Sequence, residues 1–188
     1  FRDWYQEGYL TTQSLYGAYT SGLFVSTGDI KSYMSIGSSA GATHQRPAKN
    51  ADGSYPFEVG IATIPQVNAE NKKVISQGPS LCIFKKANPQ EVAASWLFAK
   101  FLTIDVVFQA SVSMNNGYAP VIQSVKENEI YADFLASAST ANIQAYAVKV
   151  ALDQTDAYYV SPAFNGSSVA RDQVGLLMQK CMASEAAN

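Results

Sequence analysis

Ile30, Ser32, Met34 and Ile36 alternate with Lys31, Tyr33 and Ser35, and the alternation runs straight into Gly37-Ser38-Ser39-Ala40-Gly41. A period of two is the signature of a strand. The small residues after it open a helix that Pro47 stops. A strand turning through a small-residue corner into a helix is a building unit of layered α/β folds. The corner also has two chemical readings. As Gly-x-Ser-x-Gly it is the nucleophile elbow of a serine hydrolase, with Ser39 attacking a carbonyl. As hydroxyl residues at a helix N-terminus it is a cradle, whose free N–H groups and positive dipole end hold an oxygen-rich or anionic group.

A serine nucleophile needs a general base, normally a histidine late in the chain. His44 is the single histidine of 188 residues. It stands five positions past Ser39, too near along one segment to reach back to Oγ. No lysine follows Ser38 or Ser39 at three residues to act instead. The residues favour a binding cradle, and His44 reads as a surface residue at the helix end.

The rest of the chain interleaves extended and helical patterns. Residues 1–25 read as a helix broken near Gly8 and a Gly/Ser/Tyr-rich stretch. A second strand pattern, Phe57 to Ile64, stops at Pro65, and Asn68 to Lys73 is a solvated turn. Ser80 to Phe84 reads as a third strand. Asn88-Pro89-Gln90-Glu91 supplies an N-cap, a proline at the first helical position and an early acid. The helix it starts repeats Ala93, Leu97, Phe101 and Ile104 on one face. Another runs from about Asp105 to Asn115-Asn116-Gly117, where glycine provides the left-handed cap. Ser124-Val125-Lys126-Glu127 reads as a capping box, residues 142–159 as mainly helical, and the last helix carries Val174, Leu177, Met178 and Cys181 on one side. The fold class is α/β.

Composition narrows the function. The chain is 47% hydrophobic and 15% charged with a net charge of −2, a globular balance. Its longest basic runs are Lys72-Lys73 and Lys85-Lys86, which leaves no electrostatic footprint for nucleic acid. Nothing approaches the roughly 20 apolar residues of a membrane span. The opening Phe1-Arg2-Asp3-Trp4-Tyr5 looks like the middle of an amphipathic helix, as in an excised piece, and no signal peptide is visible. One histidine and two distant cysteines offer no metal site; Cys82 and Cys181 read as separate buried thiols. No nucleotide-phosphate motif occurs, and no cofactor is expected. Eleven tyrosines bring flat faces with polar tips, suited to sugars or polyols.

Two polar residues stand out. Arg171 falls in the first turn of the last helix, where a cation opposes the dipole; it is aimed at a ligand or at a surface carboxylate. Tyr118 is held between a glycine cap and Pro120, as a presented ring or a packed loop aromatic.

Several motifs occur together in a familiar order. They are Phe24-x3-Gly28-x5-Met34, Gly37-Ser38-Ser39-Ala40, Val59 to Pro65, Gly78-Pro79-Ser80-Leu81, Ala93 to Leu102, Asn116-Gly117-Tyr118-Ala119-Pro120-Val121, and Phe164-Asn165-Gly166 leading to Arg171-Asp172. In this order the chain resembles, over essentially its whole length, the second half of an extracellular solute-binding protein of family 1. Such proteins serve ABC importers, and the nearest branch is the one that binds glycerol-3-phosphate and sugars.

The resemblance implies a two-lobed periplasmic-binding-protein-like type II fold, incomplete here: the C-terminal lobe plus part of the other. Residues 1–76 and 126–188 would form the C-terminal lobe, and 77–125 the returning segment of the N-terminal lobe. That segment either packs back on itself or buries against a second copy, as a homodimer. The implied ligand contacts are Ser38 or Ser39, Gly78, Tyr118 and Arg171. The implied role is capture of a carbohydrate or polyol-phosphate solute and delivery to an ABC permease, without catalysis. The implied location is the cell envelope or periplasm, with a lipid anchor through a missing N-terminus. A ligand-sensing effector domain is a further reading, because it shares the lobe architecture.

Overall fold

The computed structural model describes residues 1–184. Its α-helices are α1 (Arg2–Gln6), α2 (Gln13–Tyr16), α3 (Ser21–Phe24), α4 (Pro89–Ile104), α5 (Val106–Asn116), α6 (Glu129–Ala136), α7 (Ile143–Leu152) and α8 (Ser167–Ala183). The chain divides into two compact units, one of Phe1–Ser35 with the stretch from Ser161 on, the other Ile36–Val160.

In the first unit α1 packs against α8. Arg2 Nε and Gln6 Nε2 both donate to the Ser184 carbonyl, at 3.0 and 2.6 Å, which occupies an orphan carbonyl at the end of α8. Gly8 takes φ +80 and ends the first helical stretch, as the sequence predicts. α8 begins at Ser167 behind Gly166, whose φ of 89 makes it a left-handed N-cap. Arg171 is therefore the fifth helical residue, in the second turn rather than the first, and feels less of the dipole than the sequence suggests.

The core of the second unit is Ala110, Val125, Tyr131 and Val148, with Val106, Met114, Ile122, Phe134, Leu135 and Leu152 packed around them. Asn88 Oδ1 accepts from the Gln90 N–H at 3.0 Å and Pro89 is the first helical residue, so α4 starts where its signals place it. A bend of 64° separates α4 from α5. Asp105 caps α5 there by accepting the Phe108 N–H at 2.8 Å, and Gln109 donates back to the Leu102 carbonyl. No single described helix is long and apolar enough to cross a membrane. The capping box does not form: Gln123–Glu127 is a 3-10 helix without a side-chain cap. Val125, wholly buried, fixes that segment in the core. α6 starts later, capped by Asn128 Oδ1.

The predicted strands are corrected by the structure. Ile30–Ile36, Phe57–Ile64 and Ser80–Phe84 contain no strand. A strand exists only through a paired neighbour, because its N–H and C=O groups point sideways. Ile30, Tyr33, Met34 and Ile36 are all exposed, and Ser32 N–H bonds to the Leu23 carbonyl instead. In the second segment Val59 is buried, and the Gln154 side chain takes the Ile64 N–H at 3.0 Å in place of a strand. Among the described residues the one ladder is parallel, β1 (Val74–Ile75) on β2 (Tyr158–Tyr159), with Val74 opposite Tyr158. The α/β expectation thus reduces to a mainly helical architecture with a two-residue parallel pair. Both cysteines are free and exposed, not buried.

Candidate functional site

The small-residue corner is built in the second unit. Ser38 is extended, at φ −80 and ψ 155, and a 3-10 helix rather than an α-helix follows from Ser39 to Gln45. It ends two residues before Pro47. Neither serine caps it. α7 packs against this 3-10 helix, whose Ala42 is buried. Arg46 fastens the far end: its guanidinium donates to the Ala141 carbonyl at 3.0 Å and the Thr140 carbonyl at 3.1 Å. The same group lies 3.8 Å over the Tyr55 ring.

α5 brings the second part of the site. It ends in Gly117, left-handed at φ 73, and a Cβ there would stand 2.8 Å from the Ser39 carbonyl oxygen and 3.2 Å from Ala40 Cα. The absence of a side chain lets the end of α5 lie against the cradle. Gln144 of α7 ties the same end down by donating to the Met114 carbonyl at 2.8 Å. Tyr118 follows directly, 44% exposed, on a loop held by Val121 N–H donating to Gln109 Oε1 at 3.0 Å. The hydroxyls of Ser38, Ser39 and Tyr118 have no hydrogen-bond partner among the described residues. Two of the predicted elements are thereby in contact, carrying three uncommitted hydroxyls.

The other predicted residues stand apart from this junction. Nothing lies within 4 Å of where a Gly78 Cβ would be, and Gly78 is exposed outside any helix or strand. Arg171 is exposed on α8 of the first unit. It makes no ion pair among the described residues, so the surface-carboxylate alternative is not realised there. His44 is exposed, and no hydrogen bond links it to Ser39. No group of three or more metal-ligating side chains occurs among the described residues.

Sequence reasoning missed Arg46, whose role depends on Thr140 and Ala141 far along the chain. It also missed an open cleft of about 520 Å³ beside the Asn68–Lys73 turn, lined by Thr63, Gln66, Lys72, Lys73, Asp153 and Asp156 among others. None of the five predicted ligand contacts lines it. Gln66 spends its amide on the Lys73 N–H and on the Ile64 and Lys73 carbonyls, and Asp153 faces Lys149 at 3.9 Å. In this cleft the Gln66 side chain braces the turn, whereas the cradle hydroxyls make no hydrogen bond among the described residues.

A sequence model of the bacterial extracellular solute-binding proteins matches residues 1–138. The chain belongs to that family of extracellular binding proteins. Ser38, Ser39, Gly78 and Tyr118 lie inside the matched stretch and Arg171 beyond it. No curated protein and no solved structure matches the chain.

Proposed function

We propose that this chain captures a carbohydrate or polyol-phosphate solute and hands it to an ABC permease, without chemistry of its own. The observation carrying the reading is the junction of Gly117 with the Ser39–Ala40 backbone, which sets Ser38, Ser39 and Tyr118, their hydroxyls unpartnered among the described residues, on two touching segments. Hydroxyl-rich solutes are bound by such groups beside a flat aromatic face. An exposed His44 without a bond to Ser39 supports capture over hydrolysis.

In this reading residues 1–76 and 126–188 belong to one lobe and 77–125 to the other, in a type II arrangement, with the solute held between lobes. Gly78 joins the site on closure. Arg171, exposed and with no ion pair among the described residues, is the candidate contact for a phosphate where the solute has one, which is the feature of the glycerophosphate branch. A lipid anchor at the cell envelope fits the same role. Self-association of the chain is supported by α4, where Trp96, Leu97 and Phe98 are 59, 64 and 62% exposed.

The test is a thermal-shift screen of the chain with sugars, glycerol phosphates and glycerophosphodiesters, repeated with Tyr118→Ala and Arg171→Ala. Ligand at 100 times its dissociation constant adds about 2.7 kcal/mol. A shift lost in Tyr118→Ala supports the cradle, and a phosphate-dependent shift lost in Arg171→Ala supports the anion contact. A shift unaffected by Tyr118→Ala and by Ser38→Ala/Ser39→Ala moves the site elsewhere.

A further inference from the structure

Three glycines in the chain follow Asn or Asp, at Asp52-Gly53, Asn116-Gly117 and Asn165-Gly166. In such a pair the glycine's backbone nitrogen attacks the preceding side-chain carbonyl carbon when that nitrogen is free and the side chain can turn toward it. The structure treats the three pairs differently. Gly53 N–H donates to the Asn50 carbonyl at 3.0 Å, and Asp52 Oδ1 is held by both Ser54 groups, at 2.9 and 2.6 Å. Gly117 N–H closes the last turn of α5 on the Ser113 carbonyl at 2.9 Å, and Asn116 Nδ2 donates to the Val112 carbonyl at 3.3 Å.

Asn165-Gly166 differs on both counts. Ser167 N–H bonds to the Phe164 carbonyl at 2.9 Å, and Gly166 has φ 89 and ψ 2, which makes Phe164–Ser167 a type II turn with glycine at its third position. The turn closes through the fourth residue's N–H, so the Gly166 N–H takes no part in it. Neither that N–H nor the Asn165 amide has a hydrogen-bond partner among the described residues. Asn165 is exposed, and glycine places no side chain in the path of the attack.

We infer that Asn165-Gly166 is a site of spontaneous deamidation. The Gly166 nitrogen forms a bond to Asn165 Cγ, the Cγ–Nδ2 bond breaks, and ammonia leaves with the backbone proton. Water then opens the five-membered imide at either carbonyl, giving aspartate or isoaspartate. The net change is one water consumed and one ammonia released, with no oxidant or reductant. A carboxylate is left one residue before the N-cap of α8, where the helix dipole favours negative charge. The isoaspartate route also lengthens the turn's backbone by a methylene.

The experiment holds the full chain at mildly alkaline pH, then digests it with trypsin. Cleavage after lysine and arginine puts Asn165 in the peptide 150–171 and Asn116 in the peptide 101–126, so one digest compares two Asn-Gly pairs. The expected result is a one-dalton gain accumulating several-fold faster in 150–171. In denaturant the two rates should converge, since the difference lies in the fold and not in the dipeptide. Asn165→Gln should abolish the gain in 150–171. Equal or faster modification of 101–126 in the folded chain, or a gain that survives Asn165→Gln, overturns the inference.

Discussion

Gly117 and Ser39 are in backbone contact: a methyl group on Gly117 would stand 2.8 Å from the Ser39 carbonyl oxygen. The contact joins the C-terminus of α5 to the cradle, and the glycine's φ of 73 directs the chain on into Tyr118. Gly117→Ala therefore meets two penalties. A left-handed L-residue costs about 1–2 kcal/mol, and the opposing atoms are backbone, which yields little. At roughly 2–4 °C per kcal/mol for a chain of this size, the melting temperature should fall by several degrees, and affinity at the cradle should fall with it. Gly166→Ala is the control. It has a similar φ but nothing within 4 Å, so it should show the backbone penalty alone. Equal losses in the two variants, measured by thermal denaturation, would remove the contact from the account.

Arg46 holds the other end of the cradle, and its partners are neutral. Arg46→Ala removes a fork on two carbonyls and the stack on Tyr55. The expected destabilisation is about 1–2 kcal/mol, from exposed hydrogen bonds and an exposed cation–π contact. Arg46→Lys should not restore it, because an ammonium cannot present the planar fork. Because no carboxylate is involved, added salt should leave the difference between wild type and variant nearly unchanged in urea titrations.

Tyr131 Oη and Ser113 Oγ share a buried hydrogen bond of 2.8 Å, beside the apolar core. Removing one partner strands the other in a dry site, at about 1–3 kcal/mol. Tyr131→Phe should thus be costly, and adding Ser113→Ala should recover part of the loss. A double-mutant cycle by urea denaturation measures the coupling; additive losses would show that the two hydroxyls act independently.

What the sequence made legible was local. Asn88-Pro89, Gly117 and Pro47 act within a turn of where they stand, so the start of α4, the end of α5 and the end of the 3-10 helix fell where their chemistry placed them. The three expected strands failed because alternation describes a chain that could pair, not one that has a neighbour; among the described residues the parallel ladder joins Val74–Ile75 to Tyr158–Tyr159, neither of which the sequence pattern marks as a strand. The capping box gave way to the burial of Val125, a tertiary demand stronger than a cap. The residue patterns name Ser38, Ser39 and Tyr118 singly, and only the family resemblance implies that they share a ligand; the contact between their segments rests on Gly117 meeting Ser39, far away in the chain. Arg46 carried no signal at all, since its acceptors are backbone carbonyls.

The α4 face makes a prediction about assembly. Trp96, Leu97 and Phe98 are all exposed on a helix that is apolar on most sides. Sedimentation velocity should show association that grows with protein concentration. Leu97→Glu/Phe98→Glu should shift the chain toward monomer while leaving its far-ultraviolet helical signal intact. A wild-type chain that stays monomeric at high concentration would show that this face is not a self-association surface.

Two tyrosines set the response to alkali. Burial raises the phenol of Tyr131 above its ordinary value of 10.0, with the Ser113 bond opposing in part, and burial also raises Tyr158. A raised value means that the folded chain keeps its phenol proton where the unfolded chain has released it. By linkage, stability then falls as pH rises, since the unfolded state binds fewer protons. The contribution is fully present below pH 10 and is lost as pH climbs from about 10 through the raised values. Urea midpoints followed from pH 8 to 11 should therefore hold steady and then drop. Tyr158→Phe should flatten the drop at the cost of the 2.6 Å bond from Tyr158 Oη to the Ala151 carbonyl. An equal drop in that variant would assign the alkaline loss to Tyr131 or to other groups.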